Sequence, residues 1–154
     1  MTLTEIPTAI HRGDDELPWV DIGEGSLLKV LQIKEREGLW VIRNRFMPGY
    51  QVQTHKHTGP VYAFTTTGAW RYKESDFVNR AGSYLYEPPG SIHTLYVPAD
   101  NTEVSETLTV VYGRTEYIGE GGEVIAVSDT ASNLAMFYES CEAAGIPRPT
   151  AILK

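Results

Sequence analysis

The sequence predicts an all-β protein of antiparallel strands, with one amphipathic helix near the C-terminus. Two observations carry this reading. Short runs of β-branched and aromatic residues recur between Gly, Pro, Asn and Asp, and the gaps between them are too short for crossover helices. Only one stretch, after Ser128-Asp129, shows helical spacing of its apolar residues.

Residues 1–26 read as an irregular lead-in punctuated by Pro7, Gly13, Pro18, Gly23 and Gly25. Leu17, Trp19, Val20 and Ile22 are too apolar for a free tail and are expected to dock on a core, the chain's own or a partner's. Strands are expected at 27–33, 39–46, 62–67, 69–72, 82–87, 92–97 and 104–112. Thr67-Gly68-Ala69 and Gly119-Glu120-Gly121-Gly122 look like tight reversals between antiparallel neighbours. Many short strands with frequent turns favour a sandwich or a barrel. Leu134, Phe137, Tyr138 and Cys141 then define a helix over 130–144, with Asp129 in its N-cap region and Gly145 and Pro147 as the stop.

The chain has 154 residues, with 20 Asp+Glu against 13 Lys+Arg and a formal charge of -7. One domain spanning 1–154 fits that length. An acidic balance without a basic cluster argues against nucleic-acid or anionic-membrane binding. No apolar run approaches a membrane span, and residues 1–13 lack the hydrophobic region of a signal peptide. A single cysteine, Cys141, excludes an internal disulfide and any multi-cysteine metal site, so a cytoplasmic location is expected.

His55-Lys56-His57 places two imidazoles at i and i+2, which on a strand face the same side and can converge on one metal ion. Taken alone, such a pair is more often two surface or hydrogen-bonded histidines than a ligand set. The surroundings add to it. Gly49 stands five intervening residues before His55, and Gly82 leads by five residues into Pro88-Pro89-Gly90, two further residues and His93.

Gly49-x5-His55-x-His57 followed by Gly82-x5-Pro88-x-Gly90-x2-His93 resembles the two motifs of the cupin superfamily, over residues 40–112. The resemblance implies an antiparallel jelly-roll barrel, with His55, His57 and His93 as ligands of a metal in its mouth. Two departures stand out. The glutamate that usually follows the second histidine by three or four residues is replaced by Val61 and Tyr62, and the asparagine expected after the last histidine is Val97. The implied set is three neutral ligands and no carboxylate. That set, with His57-Thr58-Gly59-Pro60-Val61-Tyr62, Gly68-Ala69-Trp70-Arg71-Tyr72 and the 86–94 segment, is similar to the three-histidine non-haem iron dioxygenases. These include acetylacetone-cleaving enzymes and 2,4'-dihydroxyacetophenone dioxygenases.

The resemblance implies Fe(II) as cofactor, O2 and a small carbonyl compound as substrates, and cleavage of the C–C bond beside the carbonyl. Imidazole suits Zn and Ni as well, so either metal is expected in isolated material. A Zn- or Ni-dependent isomerase, lyase or hydrolase would use the same site. So would a non-catalytic cupin sensor, although such sensors usually carry a further helical domain that this length does not accommodate. Glu87 is the candidate catalytic carboxylate, either bonding a ligand histidine or taking a substrate proton. The strand aromatics Tyr62, Phe64, Trp70, Tyr72, Tyr84, Tyr86 and Tyr96 are candidates for the pocket wall, about half of them facing inward. Arg43 and Arg45 either bind an anionic group or form a solvated face. His11 reads as a surface residue and Cys141 as a packed one. A homodimer or homotetramer is expected, with the Trp19 segment pairing across a two-fold.

Overall fold

The computed structural model describes residues 6–154, so the first five positions of the lead-in lie outside the described residues. The strands are β1 (Val20–Gly23), β2 (Ser26–Lys34), β3 (Leu39–Phe46), β4 (His55–His57), β5 (Val61–Thr67), β6 (Ala69–Tyr72) and β7 (Asn79–Arg80). They continue with β8 (Tyr84–Glu87), β9 (Ile92–His93), β10 (Leu95–Tyr96), β11 (Ser105–Tyr112), β12 (Thr115–Ile118) and β13 (Val124–Ser128), and helix α1 (Thr130–Ala143) follows. One sheet has the order β1-β2-β3-β11-β5-β8, a second β13-β12-β4-β9 and a third β10-β6-β7. All the strand pairs are antiparallel, which makes the architecture a jelly roll. No helix among the described residues is long and apolar enough to cross a membrane.

Alternation decides what faces inward. On β3, Trp40, Ile42, Asn44 and Phe46 are buried, while Val41, Arg43 and Arg45 are half-exposed. On β5, Val61, Ala63 and Thr65 face in, and Tyr62 and Phe64 face out. Helix α1 lays Leu134, Phe137 and Cys141 on a core that includes Leu28, Val30 and Ile33 of β2. Its N-cap is reciprocal: the Asp129 carboxylate accepts from Ser132 N (2.8 Å), and Asp129 N donates to Ser132 Oγ (2.9 Å). Gly145, at φ 70, adopts the left-handed conformation that ends the helix.

Three expectations need correction. The lead-in is not wholly irregular, because Val20–Gly23 pairs with β2 and Leu17 and Val20 enter the chain's own core. Thr67-Gly68-Ala69 is not a hairpin. Gly68 (φ 78) is a corner at which the chain leaves β5, bonded to β11 and β8, for β6 in another sheet. A Cβ there would stand 2.8 Å from the Val104 carbonyl oxygen, so only glycine fits. The strand expected over 92–97 is split. Glu74 takes hydrogen bonds from Thr94 N (2.8 Å) and Thr94 Oγ1 (2.6 Å), which fixes the switch from β9, paired with β4, to β10, paired with β6.

Candidate metal centre

His55 and His57 lie on β4, and His93 ends β9, which pairs with β4 in the register His55↔His93. The two elements place the three imidazoles side by side. One ligand atom from each lies within 4.8 Å of the others. The ring centroids of His55 stand 5.0 Å from His57 and 4.7 Å from His93. The loop that delivers His93 is stiffened by Pro88 and Pro89. Gly90 N donates to the His57 carbonyl (2.8 Å) and Ser91 N to the Pro88 carbonyl (3.1 Å), which ties the third histidine to the first two.

The hydrogen bonds also set which nitrogen is free. His55 Nδ1 donates to the Gln53 carbonyl (2.7 Å), and His57 Nδ1 meets Thr115 Oγ1 at 3.1 Å, so the Nε2 atoms of both rings are left for a ligand. The His93 ring stacks on Tyr72 at 4.4 Å. Burial disfavours the charged form of all three. It depresses His57 to about 3, helped by the neighbouring His55 and His93, and His93 to about 3, helped by His55; His55 is also lowered by burial. The cluster therefore presents three neutral imidazoles at neutral pH, the form that binds metal.

Glu87, the candidate carboxylate, ends β8 and reaches the cluster. Glu87 Oε2 lies 3.2 Å from His93 Nε2 and 3.8 Å from His57 Nε2. Glu87 is the register partner of Val61, where the cupin motif would place its own glutamate. The Tyr72 hydroxyl donates to the other oxygen, Oε1. Burial raises the Glu87 carboxyl to about 7 against the lowering effect of that hydrogen bond. Glu87 Oε2 and His93 Nε2 are both buried without a hydrogen-bond partner, as expected of atoms arranged around an ion. The residues present thus fit a divalent metal.

The cluster opens on a cavity of about 230 Å³ between the sheets. Of the strand aromatics named from the sequence, Trp70 and Tyr72 line it, whereas Tyr62, Phe64, Tyr84 and Tyr86 are exposed on the outer face and Tyr96 lies away from it. Trp40, Phe46, Tyr50 and Tyr117 line it too and were not anticipated, although the alternation of β3 already puts Trp40 and Phe46 on one face. Arg43 and Arg45 face outward over the ring of Trp19 and pair with Glu106, so they contact nothing in the cavity. Trp19 is half-exposed, with Lys29, Arg43 and Arg45 of its own chain against its ring. His11 is exposed and Cys141 is buried, as read from the sequence. Thr115 and Gln53, which orient the ligand histidines, were missed; neither belongs to a motif, and both act through pairings seen only in the fold.

The geometry agrees with what the chain is similar to. A crystal structure of a protein of unknown function with a cupin-like fold, from Ralstonia eutropha JMP134, is 32% identical over 79% of this chain and 76% of that one, with a TM-score of 0.76. An RmlC-like cupin protein from the same organism is 28% identical, covers 99% of this chain and 98% of its own, and gives a TM-score of 0.83. An acetylacetone dioxygenase from Acinetobacter johnsonii shares the fold at 19% identity, with a TM-score of 0.74 over 88% of this chain and 93% of that one. No functionally curated sequence matches the chain. The description of the ChrR cupin-like domain matches residues 8–116, and the chain belongs to that family of cupins.

Proposed function

We propose that His55, His57 and His93 hold a divalent metal, Fe(II) in the working protein, and that the protein is a dioxygenase. With O2 it would cleave the C–C bond beside the carbonyl of a small chelating molecule, an α-hydroxyketone of the 2,4'-dihydroxyacetophenone type or a β-diketone. The observation that carries this reading is the convergence of three neutral imidazoles and a carboxylate with one unpaired oxygen, at a largely apolar cavity that His55, His57 and Glu87 line. Bound Fe(II) supplies Lewis acidity toward the chelating oxygens and a route around the spin barrier to reaction with O2.

The protein's own groups do the rest. Glu87 Oε2 faces the Nε2 atoms of His57 and His93, the side on which a substrate must lie, so it serves as proton acceptor rather than as a support behind a histidine. Burial raises this carboxyl to about 7 in the metal-free protein; a bound cation would draw it down and leave an ionised carboxylate at neutral pH, able to take the substrate's proton and leave an enolate. Tyr72 fixes Glu87 through its hydroxyl and His93 through its ring face. The apolar walls, among them Ile42, Ala63 and Val111, keep water from the enolate. For an α-hydroxyketone, addition of O2 across the broken bond balances as two carboxylic acids.

The test is anaerobic loading with Fe(II), followed by oxygen uptake over β-diketones and aryl α-hydroxyketones. Uptake at one equivalent of O2 per substrate is expected, with release of two acids from an α-hydroxyketone and of one acid and an α-ketoaldehyde from a β-diketone. Full iron loading without oxygen consumption on any of them would refute the dioxygenase. The family match to the ChrR domain favours one second reading, a metal-binding sensor that changes a protein contact. It predicts tight metal binding and no turnover with iron. Zinc or nickel in material as isolated is compatible with either. The lone cysteine suits a reducing, cytoplasmic setting, and self-association is expected through the exposed aromatics of β5 and β8.

A further inference from the structure

The cavity has a second polar end that the histidines do not use. Asn44 of β3 is 8% exposed and lines the cavity, yet its side-chain amide makes no hydrogen bond among the described residues. Its inward neighbours on and beside β3 are apolar: Leu28 across on β2, with Ile42 and Phe46 on either side. Its register partner on the other side is Thr107 of β11, also buried and lining the cavity. Thr107 Oγ1 accepts only a long bond from Thr109 Oγ1 (3.4 Å), whereas the next hydroxyl in the row, Thr65, is taken up by Trp70 Nε1 (2.9 Å). An amide and a hydroxyl that reach the cavity with hydrogen-bonding capacity to spare can take up a polar group of a bound molecule.

The sheet register places this pair relative to the metal centre. Glu87 stands level with Val61, and Asn44 stands level, through Thr107, with Thr65. Four residues along β5 separate the two rows, about 13 Å of strand. Side chains projecting from both ends shorten that gap to the length of one ring with a substituent at each end. Asn44 offers both a donor and an acceptor, which matches a neutral hydroxyl, carbonyl or amide. No lysine or arginine lines the cavity, and its one acidic residue is Glu87, so a carboxylate at the far end would be buried without a counter-charge.

We propose that Asn44 and Thr107 form a far-end subsite that selects small molecules carrying a neutral hydrogen-bonding group opposite the chelating oxygens, and that rejects carboxylated ones. The inference rests on the reading of this cavity as the substrate pocket. It assigns specificity to residues that lie on the opposite sheet from the histidines.

The experiment is calorimetric titration of zinc-loaded protein, which separates binding from turnover. The probes are three phenacyl alcohols with a para hydroxyl, a para hydrogen or a para carboxylate. The hydroxyl compound is expected to bind about tenfold tighter than the unsubstituted one, the effect of one buried hydrogen bond together with the group it satisfies. The carboxylate should bind at least tenfold more weakly than the unsubstituted compound. Asn44→Leu should erase the hydroxyl preference while leaving the unsubstituted compound bound as tightly or more so. Equal binding of the hydroxyl and unsubstituted probes by the wild type overturns the subsite alone, and that comparison does not depend on the variant's folding. A preference that persists in Asn44→Leu, or tightest binding of the carboxylate, overturns it as well. If none of the three binds, the pocket reading falls and the subsite with it.

Discussion

Replacing Glu87 by glutamine should have opposite effects on stability and on metal binding. Burial lifts the carboxyl from its ordinary 4.5 to about 7, and Tyr72 offsets only part of that. In the metal-free protein the folded state therefore keeps a proton in a range where the unfolded chain has already released it. Below about pH 4.5 the residue is protonated in both states and costs nothing; as pH rises toward 7 the folded state loses ground, and above 7 the loss is complete. At 1.36 kcal/mol per pKa unit, the difference between 4.5 and about 7 amounts to about 3 kcal/mol. Glutamine has the same shape, carries no charge and still accepts the Tyr72 hydroxyl. Metal-free Glu87→Gln should accordingly melt about 5–10 °C above the wild type at pH 8 and show little gain at pH 4.5. Thermal denaturation by circular dichroism in the presence of a chelator reads both points. Metal affinity should move the other way, falling about 10–100-fold once the charge facing the ion is removed. A gain of the same size at both pH values, or none at pH 8, would refute the assignment of the cost to an ionised buried carboxylate. Unchanged metal affinity and turnover would remove Glu87 from the site.

Other perturbations test the supports and the outer surface. Thr115→Val removes the hydroxyl beside His57 Nδ1 at nearly constant shape; metal affinity should fall about tenfold in competition with a chromophoric chelator, and an unchanged value would mean that the ring is held by packing alone. Gly68→Ala combines a φ of 78 with a Cβ 2.8 Å from the Val104 carbonyl oxygen, so the urea midpoint should drop by the equivalent of about 1–3 kcal/mol. An unshifted midpoint would show that the corner can move. Tyr84 and Tyr86 of β8 stand exposed beside Phe64 and Tyr62 of β5, forming an aromatic face at the sheet edge. Wild-type protein should sediment as at least a dimer at micromolar concentration, and Tyr84→Lys with Tyr86→Lys should yield monomers; a monomeric wild type refutes the association.

The sequence made some features legible because they depend on local spacing. Strand β3 runs over the expected 39–46, since a run rich in β-branched and aromatic residues lies there between Gly38 and Pro48. The i, i+2 histidines and the Pro-Pro-Gly loop before His93 announce themselves in the same way. What stayed hidden depends on which strand lies beside which. Glu87 was a carboxylate of undecided role until the pairing Val61↔Glu87 turned its side chain toward the histidines. In the sequence Asn44 is one polar residue between two arginines, and only the pairing with β2 sets it among Leu28, Ile42 and Phe46 on the cavity wall. The switch at Thr94 is set by Glu74, twenty residues earlier, and nothing within 92–97 signals it.

The position of the carboxylate has a mechanical consequence. A glutamate at Val61 would be joined to His57 through Thr58-Gly59-Pro60 alone, a link pressed so closely on the next element that a Cβ on Gly59 would stand 2.6 Å from the Tyr112 carbonyl oxygen. Such an acid would move only with the histidine and would act as a further ligand. On β8 the acid is separated from His57 by a strand boundary and steadied instead by Tyr72, which also stacks on His93. The supports are divided: Gln53 and Thr115 hold His55 and His57, while Tyr72 holds Glu87 together with His93. Under the proposed mechanism, a carboxylate on β8 can gain and lose a proton without shifting β4, the strand that carries His55 and His57. On that reading, the exchange of Val61 for the usual glutamate, read from the sequence as the loss of a ligand, is a transfer of the acid to the neighbouring strand, from holding an ion to facing what binds beside it.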